Sequence, residues 1–79
     1  MKRYEELNAL KGKLREEGIS YRALSADVKI SLNALNAKLN GDSVFNTDEV
    51  ERVAKRANIS PEDFIRYFFP RLLRNAINE

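Results

Sequence analysis

Neither cysteine nor histidine occurs among the 79 residues. Without cysteine there are no disulfides and no thiolate metal sites. The two absences together remove the usual general base, the thiol nucleophile and the common transition-metal ligands. The acids Asp48, Glu49, Glu51, Glu62 and Asp63 cluster only where helices begin. Glycine occurs three times, never in the dense pattern that cradles a phosphate. No enzyme, cofactor or metal is expected. Neither charge sign dominates either, since 14 Lys and Arg against 12 Asp and Glu leave +2. That balance permits a nucleic-acid partner without demanding one. No apolar run approaches the ~20 residues of a membrane span. Glu5 and Glu6 stand where a signal peptide would place its apolar stretch. One small cytoplasmic domain is expected, held by core packing and helix caps.

What is present is helical periodicity. Tyr4, Leu7, Leu10 and Leu14 recur at spacings of three and four, which predicts a helix from Tyr4 to Glu17 stopped by Gly18. Its charges, Glu5, Glu6, Lys11, Lys13, Arg15, Glu16 and Glu17, read as a solvated face with weak i, i+4 pairs. Ser20 reads as the N-cap of a helix over Tyr21 to Val28, and Ser31 as the N-cap of one over Leu32 to Leu39. Asn40-Gly41 closes the latter and opens a loop over residues 42–46. Thr47 is expected to cap a fourth helix with Val50, Val53, Ala54 and Ala57 inward and a stop at Asn58. Ser60-Pro61-Glu62-Asp63 reads as a Ser-capped start, with Phe64, Ile65 and Phe68 inward. Pro70 is expected to break that run before an amphipathic segment from Arg71 to Asn78 that carries Leu72, Leu73, Ala76 and Ile77.

The informative stretch is Ile19 to Gly41. Two helices of about two turns are joined by a tight connection around Val28-Lys29-Ile30, and Leu24, Val28, Ile30 and Leu35 are spaced to pack them across one another. That is helix-turn-helix geometry. In its DNA-binding versions the second helix enters the major groove, led by its N-terminal residues. The expected fold is all-α, a compact bundle of about five short helices in which the second and third form the motif. Residues 1–69 are expected to be the DNA-binding domain and residues 70–79 a C-terminal amphipathic extension.

The ordered series Ser20-Tyr21-Arg22-Ala23-Leu24-Ser25, Ile30-Ser31, Leu35 and Leu39-Asn40-Gly41 resembles the phage repressor and Cro type of helix-turn-helix protein. Phe45, the helix start at Thr47 and Ala57-Asn58-Ile59-Ser60-Pro61-Glu62 are similar to the closing helices of that family, and Tyr67-Phe68-Phe69 to a subgroup of small phage-encoded members. Three positions depart from the family pattern. Lys29 stands at the usual turn glycine, Tyr21 at a common glutamine and Ser25 at a common alanine. A left-handed lysine at the turn would cost on the order of 1–2 kcal/mol that glycine would not. The resemblance implies a transcriptional regulator that binds pseudo-palindromic operators as a homodimer.

On that frame Asn33, Ala34 and Ala37 point out of the second motif helix, flanked by Asn36, Lys38 and Asn40. Asparagine can bond adenine in bidentate fashion and alanine can touch a thymine methyl. No arginine stands on this helix to take guanine, so the implied preference is for A·T-rich operators in duplex DNA. Tyr21 and Arg22 open the first motif helix, whose N-terminus can receive a phosphate, and Ser31 opens the second. The expected DNA-contacting set is therefore Tyr21, Arg22, Ser31, Asn33, Ala34, Asn36, Ala37, Lys38 and Asn40. An alternative from another class is the same scaffold used as a protein-binding module, an antirepressor or an inhibitor of host defence.

Overall fold

The computed structural model describes residues 4–77, with side chains described as far as Leu73. Helices run over Asn8–Glu16 (α1), Tyr21–Val28 (α2), Leu32–Asn40 (α3), Thr47–Ala57 (α4), Phe64–Phe68 (α5) and Pro70–Ile77 (α6), with a 3-10 turn over Pro61–Asp63. No strand occurs among the described residues, and none of their helices is long and apolar enough to cross a membrane. The fold is all-α, as expected.

One apolar core runs through the bundle. Leu10, Leu14, Leu24, Leu35, Leu39, Val28 and Val53 are all but fully buried, so α1, α2, α3 and α4 share it. Burial of a single leucine side chain contributes about 1.5–3 kcal/mol. α2 packs on both α3 and α4, α1 on α3 and α5, and α5 on α6. The loop after α3 is anchored by Phe45, whose ring meets that of Phe68 edge-on at 5.5 Å. Phe64 meets the same ring edge-on at 6.0 Å.

Several local expectations are corrected. Residues 4–7 do not begin the first helix. The amides of Tyr4 and Leu7 donate instead to the carbonyls of Gly41 and Leu39, both at 2.9 Å. These carbonyls belong to the end of α3, which lacks intrahelical partners for its last C=O groups. The chain segment therefore satisfies α3 rather than itself. The cap of α4 is Asn46, not Thr47. Its side chain accepts from the Glu49 amide while Glu49 reaches back to the Asn46 amide, a reciprocal capping box.

The Ser60 side chain caps no helix amide, and Pro61 opens a 3-10 turn before α5. Ile65, expected inward, is 48% exposed, whereas Phe68 is buried and Phe64 half-buried. Pro70 separates α5 from α6 but is itself the first residue of α6, where a missing N–H costs nothing. Leu72 and Leu73 are 48% and 44% exposed. The side chains of Ala76 and Ile77, expected to share the apolar side of this segment, and its expected end at Asn78 lie outside what is described.

Candidate nucleic-acid interface

The motif is built from α2, a three-residue connection and α3. Ser20 caps α2, its hydroxyl accepting from the Ala23 amide at 3.0 Å. At the other end Lys29 adopts φ 59° and ψ 43°, the left-handed conformation. The Ser25 carbonyl accepts the amides of both Lys29 and Ile30, and Ile30 turns into the core. A left-handed residue followed by a buried apolar one is a common way to finish a helix. Ser31 then caps α3, its hydroxyl oxygen accepting from the Ala34 amide at 3.2 Å. The Ser31 hydroxyl proton remains a donor.

The C-terminal end of α2, next to the turn, is held from α4. Arg52 Nε donates to the Val28 carbonyl at 2.9 Å, which satisfies an end carbonyl of α2. Arg56 Nε donates to Asp27 Oδ2 at 2.7 Å. Both links span more than twenty residues, so no local pattern in the sequence announces them.

Along α3, Leu35 and Leu39 are fully buried and Leu32 is half-buried. Asn33 is exposed, and Asn36 and Ala37 are half-buried. Ala34, expected on the outer face, is half-buried and packs against the core. Lys38 lies along its own fold, its Nζ donating to the Val44 carbonyl at 3.1 Å and pairing with Glu49 at 3.4 Å. Asn40 Oδ1 accepts from Lys11 Nζ at 2.7 Å. Lys11 also pairs with Glu6, so it is not part of the solvated i, i+4 array expected on α1. Lys13 is, pairing with Glu17 at 3.2 Å. On α2, Arg22 is exposed and Tyr21 is half-buried against the core. Among the described residues no group of three or more His, Cys, Asp or Glu could hold a metal ion.

Two short helices crossed over a shared core, with a tight left-handed turn between them, place the N-termini of both α2 and α3 at the surface. The sequence profile of the Cro/C1-type HTH DNA-binding domain matches residues 9–70. The chain belongs to this family. The match starts inside α1 and ends where α6 begins, so it takes in the whole motif and the helices that brace it. Comparison with curated proteins and with solved structures gives no match. A Cro/C1-type domain is a DNA-binding unit. In this one the turn glycine is replaced by a lysine that nonetheless keeps the left-handed backbone.

Proposed function

We propose that the chain is a sequence-specific regulator of transcription, of the phage or prophage Cro or repressor type, that lays α3 in the major groove of duplex DNA. The observation that carries this reading is the exposed Asn33 in the first turn of a Ser31-capped α3. In helix-turn-helix proteins that turn leads into the groove. Asn33 and Asn36 are the adenine readers, with Ala37 against a thymine methyl, and the favoured operators are A·T-rich. Tyr21, Arg22, Ser31, Lys38 and Asn40 make the surrounding backbone contacts, with the α2 N-terminus taking a phosphate.

Residues 1–69 form the DNA-binding unit in this reading, and residues 70–79 an extension through which two copies pair. The exposed Leu72 and Leu73 support such pairing. The test is a salt-titrated mobility-shift assay on A·T-rich duplexes. Replacing both Asn33 and Asn36 with Ala is expected to weaken specific binding at least about tenfold with melting nearly unchanged, as two lost base contacts would. Undiminished affinity in the double variant would remove α3 from the groove.

One observation favours a second reading, a protein-binding module. The only cation on α3 is already paired, Lys38 with Glu49, and phosphate-driven affinity needs cations to spare. A chain that retains no duplex even at low salt would support that alternative.

A further inference from the structure

Asn40 and Lys11 meet across 29 residues of sequence, at the end of α3 farthest from the turn. Lysine has three donors and no acceptor. The side-chain atom that Lys11 meets at 2.7 Å must therefore be the amide oxygen of Asn40. That fixes which way round the amide lies. Bidentate recognition of adenine needs both the oxygen and the nitrogen of an asparagine. With one lone pair of its oxygen taken by Lys11 and the amide plane fixed by that bond, the groups Asn40 has wholly free are the two N–H donors of Nδ2. Two free donors suit an acceptor-only partner, and the backbone phosphate of DNA is one.

We propose that Lys11, through its bond to Oδ1, positions Asn40 as a sequence-independent phosphate contact that anchors the trailing end of α3 on the DNA backbone. The proposal rests on the placement of α3 given under Proposed function and assigns one residue to holding register and another, outside the motif, to orienting it. Lys11 itself is spent on Asn40 and Glu6 and does not touch DNA. Asn33, which has no such restraint on its amide, keeps base reading.

The test is a double-mutant cycle on the full chain with two probes. One is a duplex selected from a random pool by the wild-type chain; the other is the same duplex with its sequence scrambled. Asn40→Ala is expected to weaken both by about ten- to a hundredfold, the range of one hydrogen bond to a charged group, with their ratio unchanged. Lys11→Met is expected to match that loss when Asn40 is present and to add nothing in the Asn40→Ala background. Lys11→Arg, which can still donate to Oδ1, is expected to restore most of the affinity. The slope of log affinity against log salt should stay the same in Lys11→Met, whereas loss of a direct lysine–phosphate contact would lower it by about 0.9.

Additive losses in the cycle, a reduced salt slope, or a loss confined to the selected duplex would each overturn the proposal. Should Lys11→Met melt below assay temperature, NMR of the wild-type chain decides. The Asn40 side-chain amide protons are expected to shift on titration with the scrambled duplex, and unmoved signals there overturn the assignment. A wild-type chain that binds neither duplex removes the DNA reading itself, and this role with it; wild-type binding with an uncoupled cycle removes this role alone.

Discussion

At the scale of the residue, Lys29 is the most informative position in the motif. A β-carbon at φ 59° crowds the following carbonyl, a cost that glycine escapes. Lys29→Gly is expected to raise stability by up to about 1 kcal/mol, the relief of strain being partly offset by the freer unfolded chain. Urea unfolding at constant m-value measures it. A lower midpoint would mean that the turn is not left-handed in solution. The sequence raised this question by putting a lysine where a glycine was expected, but it could not answer it. Backbone conformation at one residue is decided here by the neighbours. The Ser25 carbonyl draws in two successive amides, and Ile30 needs the core.

At the scale of the element, two glycines of similar backbone conformation separate the cost of strain from the cost of contact. Gly18 has φ 71° and open space around it, whereas a β-carbon on Gly41, at φ 92°, would lie 2.4 Å from the Tyr4 carbonyl oxygen. Gly18→Ala should therefore cost only about 1–2 kcal/mol, the left-handed penalty. Gly41→Ala adds a backbone clash of about 1–3 kcal/mol and loosens the strap over the end of α3. Paired thermal melts test the difference, and equal losses would show that the strap does not hold Gly41 tightly.

A second strap joins the ends of α1 and α4. Asn58 Nδ2 donates to Glu17 Oε1 at 3.1 Å, and with Lys13 alongside it holds the Glu17 carboxyl below its ordinary value of 4.5. A carboxylate whose folded pKa lies below its unfolded one contributes stability above the unfolded value and loses it as pH falls through the folded one. Asn58→Gly keeps the left-handed backbone seen there, φ 59°, and deletes the bond. The Glu17 titration followed by NMR is expected to move up toward 4.5, and the acid unfolding limb with it. An unmoved titration would assign the shift to Lys13 alone.

The straps also mark where the sequence was legible. Ser20, Ser31 and the Asn40-Gly41 stop act within four residues of themselves, and all three were readable. So was the Asn46 to Glu49 spacing, although the adjacent Thr47 is an equally good cap by type and drew the assignment. Tyr4 and Leu7 fall in step with Leu10 and Leu14, yet their amides are taken by carbonyls more than thirty residues away. Lys11, Arg52 and Arg56 likewise find partners that no local period encodes. The candidate site was read as a face of α3, and that reading could not foresee which of its side chains the fold already employs.

At the scale of the whole molecule, the open question is what covers Leu72 and Leu73. α6 lies against α5, and Arg71 rests over the Tyr4 ring at 4.9 Å, which ties the helix to the strap at the end of α3. Two-fold pairing of α6 would bury those leucines and contribute several kcal/mol at ~25 cal/mol per Å², before the cost of association. Sedimentation equilibrium at micromolar concentrations is expected to give a dimer for the full chain and a monomer after truncation at Pro70. A monomeric full chain, or a truncated chain that still dimerises, assigns the leucines elsewhere.

The internal pairing of cations has a consequence for search. Lys11, Lys13, Lys38 and Arg56, four of the 14 Lys and Arg, each face an acid of the same chain, so that share of the positive charge is less available to an approaching polyanion. Binding to arbitrary sequence depends on the counterions released by such charges. In a genome, arbitrary sequence is the great competitor, outnumbering any operator by about a millionfold or more. A regulator that grips it weakly spends less of its population parked on the wrong sites. If the chain regulates as proposed, more of its copies stay in free solution, and fewer molecules per cell suffice to keep an operator occupied.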